Sequence, residues 1–198
     1  STPIKEGTKN FIEAEYSKKH FADIYPTTTL KLEVLNAQKS KKSGRKMFPG
    51  SITEFSRGSR LEKNRINVLL MSDSMLLSKK TMDKDDYDQT VFGAYTQPYK
   101  ALEETRPIII IDEPHRFKRE NKAYQCIVDK IQPQCIIRFG ATFPNMPKGN
   151  EKDYNNLVYN LGTCEAFNDN LVKGVAVQTL NNVDGEDAKI KLMKVINR

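Results

Sequence analysis

The chain has 198 residues, 38% hydrophobic and 29% charged, with a formal net charge of +7; it is long enough to bury a core, and its composition is polar for a globular protein but not that of a disordered chain. No apolar stretch approaches the roughly 18–20 residues that span a bilayer, and the opening STPIKEGTKNF lacks the charged-then-apolar pattern of a secretory signal. Cys126, Cys135 and Cys164 show no CxxC spacing, which argues against a disulfide framework or a zinc site; they read as reduced and mostly buried, in a cytoplasmic setting.

In chain order, Thr8 to Tyr25 places Phe11, Ala14, Phe21 and Tyr25 at helical spacing. LKLEVLN (30–36) alternates as a strand does. Residues 37–65, rich in Lys, Ser, Gly and Arg, read as a long loop or insertion with little regular structure. Nine basic residues from Lys39 to Arg65, among them Lys41, Lys42 and Arg45, face only Glu54 and Glu62, so this segment carries the chain's whole excess charge. Such a patch suits a polyanion such as nucleic acid, or else it is a solvated loop. INVLLMS (66–72) is continuously apolar and predicts a strand buried on both faces.

Residues 78–95 read as a solvated loop. Within them DKDDYD is no calcium loop, because its sixth position is Asp88 rather than Gly and its twelfth is Ala94 rather than Glu. A short helix is expected from Gln97 to Glu104. Then PIIIIDEPHRF (107–117) sets a strand of four isoleucines, expected to be buried on both faces, against Asp112 and Glu113. A helix near Asn121 to Ile131 turns Ala123, Ile127 and Val128 inward, and the strand CIIRFG (135–140) follows.

Strands alternating with helices imply an α/β fold with a parallel sheet. Beyond Pro147 the texture changes, so residues 1–147 form one domain and 148–198 an extension with a short helix around Ala166. The scattered Phe and Tyr residues read as core rather than as a base-stacking platform.

In parallel α/β sheets, ligands gather at the carboxyl ends of the strands. Asp112 and Glu113 are therefore aimed into that crevice. An Asp there can hold Mg²⁺ with phosphate oxygens completing the shell, and the adjacent Glu can polarise an attacking water for phosphoryl transfer. The plainer alternative is an acidic turn that caps the next helix. Gly140, Ala141 and Thr142 arrive at the same edge from the next strand, where Thr142 offers a hydroxyl to a neighbour such as His115.

These motifs form a pattern. IIIIDEPH followed by RFGATFP resembles motifs II and III of superfamily 2 helicases and translocases of the DEAH/DExH type. STPIKEG is similar to that group's motif Ia as worded in the Res subunits of type III restriction enzymes. HFADIY (20–25), INVLLMSDSML (66–76) and LVYNLGTCEAFNDNLVKGVAV (157–177) resemble Res sequence in the same order.

The resemblance implies a RecA-like parallel sheet flanked by helices, the first motor domain of an ATP-dependent DNA translocase within a restriction endonuclease. It implies that Asp112 co-ordinates Mg²⁺–ATP, that Glu113 positions the hydrolytic water, and that His115, Gly140, Ala141 and Thr142 couple nucleotide state to DNA movement. Thr2, Pro3 and Lys5 would lie on the DNA backbone side, with amides near Gly7 opening a helix toward phosphate. Ser72 and Ser74 would sit in a motif Ib-like stretch. The implied partners are double-stranded DNA and a modification (methyltransferase) subunit, with no membrane.

No G-x-x-x-x-G-K-[ST] occurs in these residues; GRKMFPGS (44–51) has neither the spacing nor the strand–loop–helix context. The chain is accordingly expected to be an excerpt that starts after the P-loop and is inactive alone. A non-enzymatic DNA-binding module gripping phosphate through the basic segment is the alternative. A metal-dependent nuclease centred on Asp112 and Glu113 lacks the third acid and nearby lysine that such sites use.

Overall fold

Parallel strand pairs connected by helices organise the chain. The computed structural model describes residues 2–37, 47–88, 90, 93–149 and 151–172; one compact unit ends at Asp153 and a second begins at Tyr154. Lys41, Lys42 and Arg45 lie outside the described residues.

The first unit opens with α1 (Thr2–Glu13), which carries Pro3 in its first turn, where a missing N–H costs nothing. The single helix expected over 8–25 is instead two, because Ala14 turns extended and α2 (Glu15–Ile24) starts after it. Across that break Phe11 meets Tyr16 edge-on, with ring centroids 5.9 Å apart. Gly7 lies inside α1, so it does not open a helix as expected.

Strands β1 (Thr29–Val34) and β2 (Arg65–Leu70) pair in parallel, from Thr29 opposite Arg65 to Val34 opposite Leu70. Between them the expected loop over 37–65 is corrected by α3 (Gly50–Leu61). Ile52, Phe55 and Ser56 fall at i, i+3 and i+4 on one helical face and are all buried. Its Ser56 hydroxyl donates to the Ala101 carbonyl at 3.4 Å, which ties α3 to α5 (Pro98–Thr105). A short α4 (Asp73–Leu76) follows β2. The stretch around DKDDYD is irregular but not simply solvated: Tyr87 is buried and its hydroxyl donates to the Thr81 carbonyl at 2.8 Å.

Strands β3 (Ile108–Asp112) and β4 (Cys135–Phe139) form the second parallel pair, Ile108 opposite Cys135 and Asp112 opposite Phe139. The crossover runs through a 3₁₀ turn (Pro114–Arg116), α6 (Lys122–Cys126) and a π-helical turn (Ile127–Ile131), as parallel pairing requires. One buried cluster, including Leu35, Ile52, Leu102, Ile111, Ile127 and Ile131, joins helices and strands of this unit.

Among the described residues the strands thus make two parallel pairs, and neither apolar strand is buried on both faces. Ile108 and Ile110 are 58% and 66% exposed while Ile111 is buried, and Ile66 of β2 is 45% exposed. Val128 faces outward rather than inward. Cys135 and Cys164 are exposed and Cys126 partly so, against the expected burial; all three are free thiols. The aromatic residues divide: Phe48, Phe55, Tyr87 and Tyr99 are core, whereas Phe11, Tyr16, Tyr25, Phe139, Tyr159 and Phe167 are mostly exposed. The second unit contains α7 (Thr163–Asn168), with Ala166 buried. No helix among the described residues is long and apolar enough to cross a membrane.

Candidate active site

The carboxyl ends of β3 and β4 bring the acid pair and the Gly-Ala-Thr turn together. Asp112 is the last residue of β3 and stands exposed opposite Phe139. Glu113 adds one more rung, its N–H donating to the Phe139 carbonyl at 3.0 Å. The residue before a proline is ordinarily pushed to extended backbone, yet Glu113 takes a left-handed conformation (φ 57°, ψ 63°). That backbone state costs a non-glycine residue about 1 kcal/mol, and the rung to Phe139 helps to hold it. Pro114 then starts the 3₁₀ turn, closed by the Phe117 N–H on the Pro114 carbonyl at 2.8 Å.

This turn carries His115 back toward the acids. His115 Nδ1 lies 3.0 Å from Glu113 Oε2 and 3.4 Å from the Thr142 hydroxyl oxygen. An ionised Glu113 accepts only, so the arrangement assigns the proton of a neutral His115 to Nδ1. Thr142, from the loop after β4, thereby touches the same imidazole that orients Glu113. Gly140 lies against the buried Pro114, and Ala141 is exposed beside it.

Among the described residues no group of three or more His, Cys, Asp and Glu side chains is placed to hold a metal ion. A single exposed carboxylate at a strand end still suits Mg²⁺, which commonly takes one or two protein carboxylates and completes its shell with waters and substrate phosphates.

The other expected site residues lie elsewhere. Thr2 and Pro3 form the first turn of α1. The Lys5 ammonium donates to the Leu35 carbonyl at 2.8 Å and to Asn36 Oδ1 at 2.9 Å, and desolvation there lowers its pKa from the ordinary lysine value. Ser72 caps α4, accepting from the Met75 N–H at 3.3 Å, with Ser74 Oγ 2.9 Å away. The Leu35 N–H donates to the Leu70 carbonyl at 2.9 Å, so Lys5, Ser72 and Ser74 gather at the carboxyl end of the β1–β2 pair.

Three residues escaped the sequence reading. Asp153 is 1% exposed and receives Arg119 Nε at 2.7 Å and Arg138 Nη1 at 3.3 Å. Its hydrogen bond raises the Arg119 pKa above the ordinary value against an opposing desolvation. Arg138 also donates to the Asp153 carbonyl and stacks over Phe143 at 5.6 Å. No periodicity or motif marks a lone Asp in GNEKDYNN, so nothing in the sequence pointed to it.

A cleft of about 980 Å³ contains none of the expected site residues. It is lined by Glu103, Arg106, Asp129 and Gln132 among others, at the amino ends of β3 and β4, whereas ligands of parallel α/β units gather at the carboxyl ends.

Comparison with known proteins gives a consistent set of relatives. Residues 8–145 match the family described as "Type III restriction enzyme, res subunit". The chain is 46% identical over 183 residues to the Type III restriction-modification enzyme StyLTI Res subunit of Salmonella typhimurium, covering 88% of this chain and 18% of that protein. It is 39% identical over 174 residues to the EcoP15I Res subunit of Escherichia coli, and 38% identical over 174 residues to the EcoPI Res subunit of Escherichia phage P1. Each of these two alignments covers 87% of this chain and 17% of the relative. The chain thus spans less than a fifth of the length of these relatives.

Proposed function

This chain belongs to the Res subunit family of type III restriction enzymes, and on that premise we propose that it supplies water-positioning and coupling residues of an ATP-driven DNA translocase motor. The observation that carries this reading is the contact chain Glu113–His115–Thr142, which links the acid turn after β3 to the loop after β4.

In this reading Asp112 holds Mg²⁺–ATP through its exposed carboxylate; when bound, the ion neutralises charge on the phosphates. Glu113 orients the attacking water and takes up its proton. His115 donates Nδ1–H to Glu113 and so fixes the carboxylate's direction. Thr142 touches the same ring, so displacement of Gly140, Ala141 and Thr142 reaches Glu113 through one side chain. Lys5, Ser72 and Ser74, with Thr2 and Pro3 on α1, supply contacts to the backbone of double-stranded DNA, and Lys41, Lys42 and Arg45 add charge. The wider assembly includes a modification methyltransferase subunit.

The test uses a Res polypeptide of the relatives' full length that carries this segment. Glu113→Gln should lower DNA-stimulated ATP turnover by about 10²-fold or more. Unchanged turnover would overturn the assignment. If Lys41, Lys42 and Arg45 each meet one phosphate, neutralising all three should flatten the slope of log affinity against log salt by about 2.7. A flattened slope together with turnover indifferent to Glu113 would favour a DNA-binding module without catalysis.

A further inference from the structure

We propose that Asp153 is a positioning residue that holds the His115 turn against the Thr142 loop, so that DNA engagement is felt at Glu113; this rests on the function proposed above.

Asp153 joins three segments that a sequence reading keeps apart. Its Oδ1 takes Arg119 Nε, three residues after the 3₁₀ turn that carries His115. Its Oδ2 takes Nη1 of Arg138 on β4, the residue before Phe139, whose carbonyl receives the Glu113 N–H. Its own N–H donates to the Pro144 carbonyl at 2.8 Å, two residues past Thr142. The segment doubles back to reach this position through an antiparallel bridge between Asn145 and Lys152, with Lys152 Nζ on Asn145 Oδ1 at 3.0 Å.

The side-chain link from Glu113 through His115 to Thr142 is weak by comparison. His115 and Glu113 are 45% and 49% exposed at the side chain, and even a fully charged pair with that exposure contributes little on its own. At 3.4 Å the Thr142–His115 contact is long for a hydrogen bond. A buried carboxylate with both oxygens engaged by guanidinium groups is geometrically far more restrictive. The register between His115 and Thr142 is therefore set by the Gly140–Pro114 packing and, behind the site, through Asp153, rather than by the contact between the two side chains. Arg119 is the half of this brace that reaches the His115 turn, and its side chain is 37% exposed.

The decisive variant is Arg119→Gln in a full-length Res protein. It cuts the brace to the His115 turn and leaves Asp153 paired with Arg138, so the β4 side stays anchored. ATP turnover is measured with and without DNA, beside the thermal midpoint and a parallel Glu113→Gln protein. The expected result is little change in unstimulated turnover or midpoint, with the stimulation by DNA reduced by about five-fold or more, within the range of ordinary coupling factors. Full stimulation in Arg119→Gln, with turnover abolished in Glu113→Gln, would overturn the positioning role and leave the proposed function standing. Parallel loss of stimulated and unstimulated turnover with a lowered midpoint would also overturn it, reducing Asp153 to scaffold. Turnover unaffected by Glu113→Gln would remove the functional reading and this inference together.

Discussion

Gly140 sits so close to Pro114 that a methyl group on its α-carbon would stand 2.5 Å from Pro114 Cδ. The contact is with a rigid, buried ring that follows Glu113 directly, so the acid turn and the loop after β4 pack without space for a side chain between them. Gly140→Ala should therefore lower the denaturant midpoint, at a cost of about 1–3 kcal/mol from overpacking. Gly7→Ala is the control: nothing lies within 4 Å of the added methyl inside α1, and the substitution should stabilise by about 0.5–1 kcal/mol. Equal effects from the two would show that the Pro114 contact is not restrictive.

Asp153→Ala removes the common partner of Arg119 and Arg138 from a position 1% exposed. Breaking a buried pair leaves uncompensated charge, and a loss of about 3–5 kcal/mol is expected in equilibrium unfolding. Glu54→Gln offers the contrast. Its contacts with Lys31 and Arg57, both at 3.8 Å, are solvent-exposed, and a loss below about 1 kcal/mol is expected.

Tyr99 is buried under Lys130, whose ammonium lies 4.7 Å from the ring centroid, and donates its hydroxyl to the Leu76 carbonyl. Desolvation, then its hydrogen bond with Cys126, raises its pKa well above the ordinary 10.0. A raised folded-state value means that its contribution to stability is fully present below the unfolded value and declines as pH rises beyond it. Stability should therefore fall above about pH 10. Tyr87 and Tyr95 act in the same direction, and Lys5, whose pKa is lowered, acts in the opposite one. The difference between the parent and Tyr99→Phe isolates the Tyr99 share: unfolding midpoints should differ by a constant below that pH and converge above it. A constant difference throughout would contradict the assignment.

Much of the candidate site was legible because its cause is local. A strand of β-branched residues that stops at two acids and a proline dictates where the carboxylates emerge, and Pro114 removes the helical option from Glu113. The short helix from Gln97 and the strands on either side of the crossover were legible for the same reason. α3 was not, because composition masked it: Ile52 and Phe55 are sparse among Ser, Gly and Arg, yet their three-residue spacing suffices once β2 and α5 offer a surface. The run of isoleucines misled in the other direction. An apolar strand announces that it is compatible with burial, but only its neighbours decide which faces are covered, and here Ile108 and Ile110 remain exposed.

By itself, the sequence determined the chemistry on offer: two acids after an apolar strand, a Gly-Ala-Thr turn after the next, and the family to which both belong. Tertiary structure alone decided how these parts are braced. Arg119 and Arg138 lie 34 and 15 residues from Asp153 along the chain, and no local rule of spacing or propensity relates the three. They meet because parallel pairing carries β4 back beside β3 and the following loop doubles back onto Arg138 of β4 and Arg119, where a desolvated carboxylate is stable only if both of its oxygens find cations.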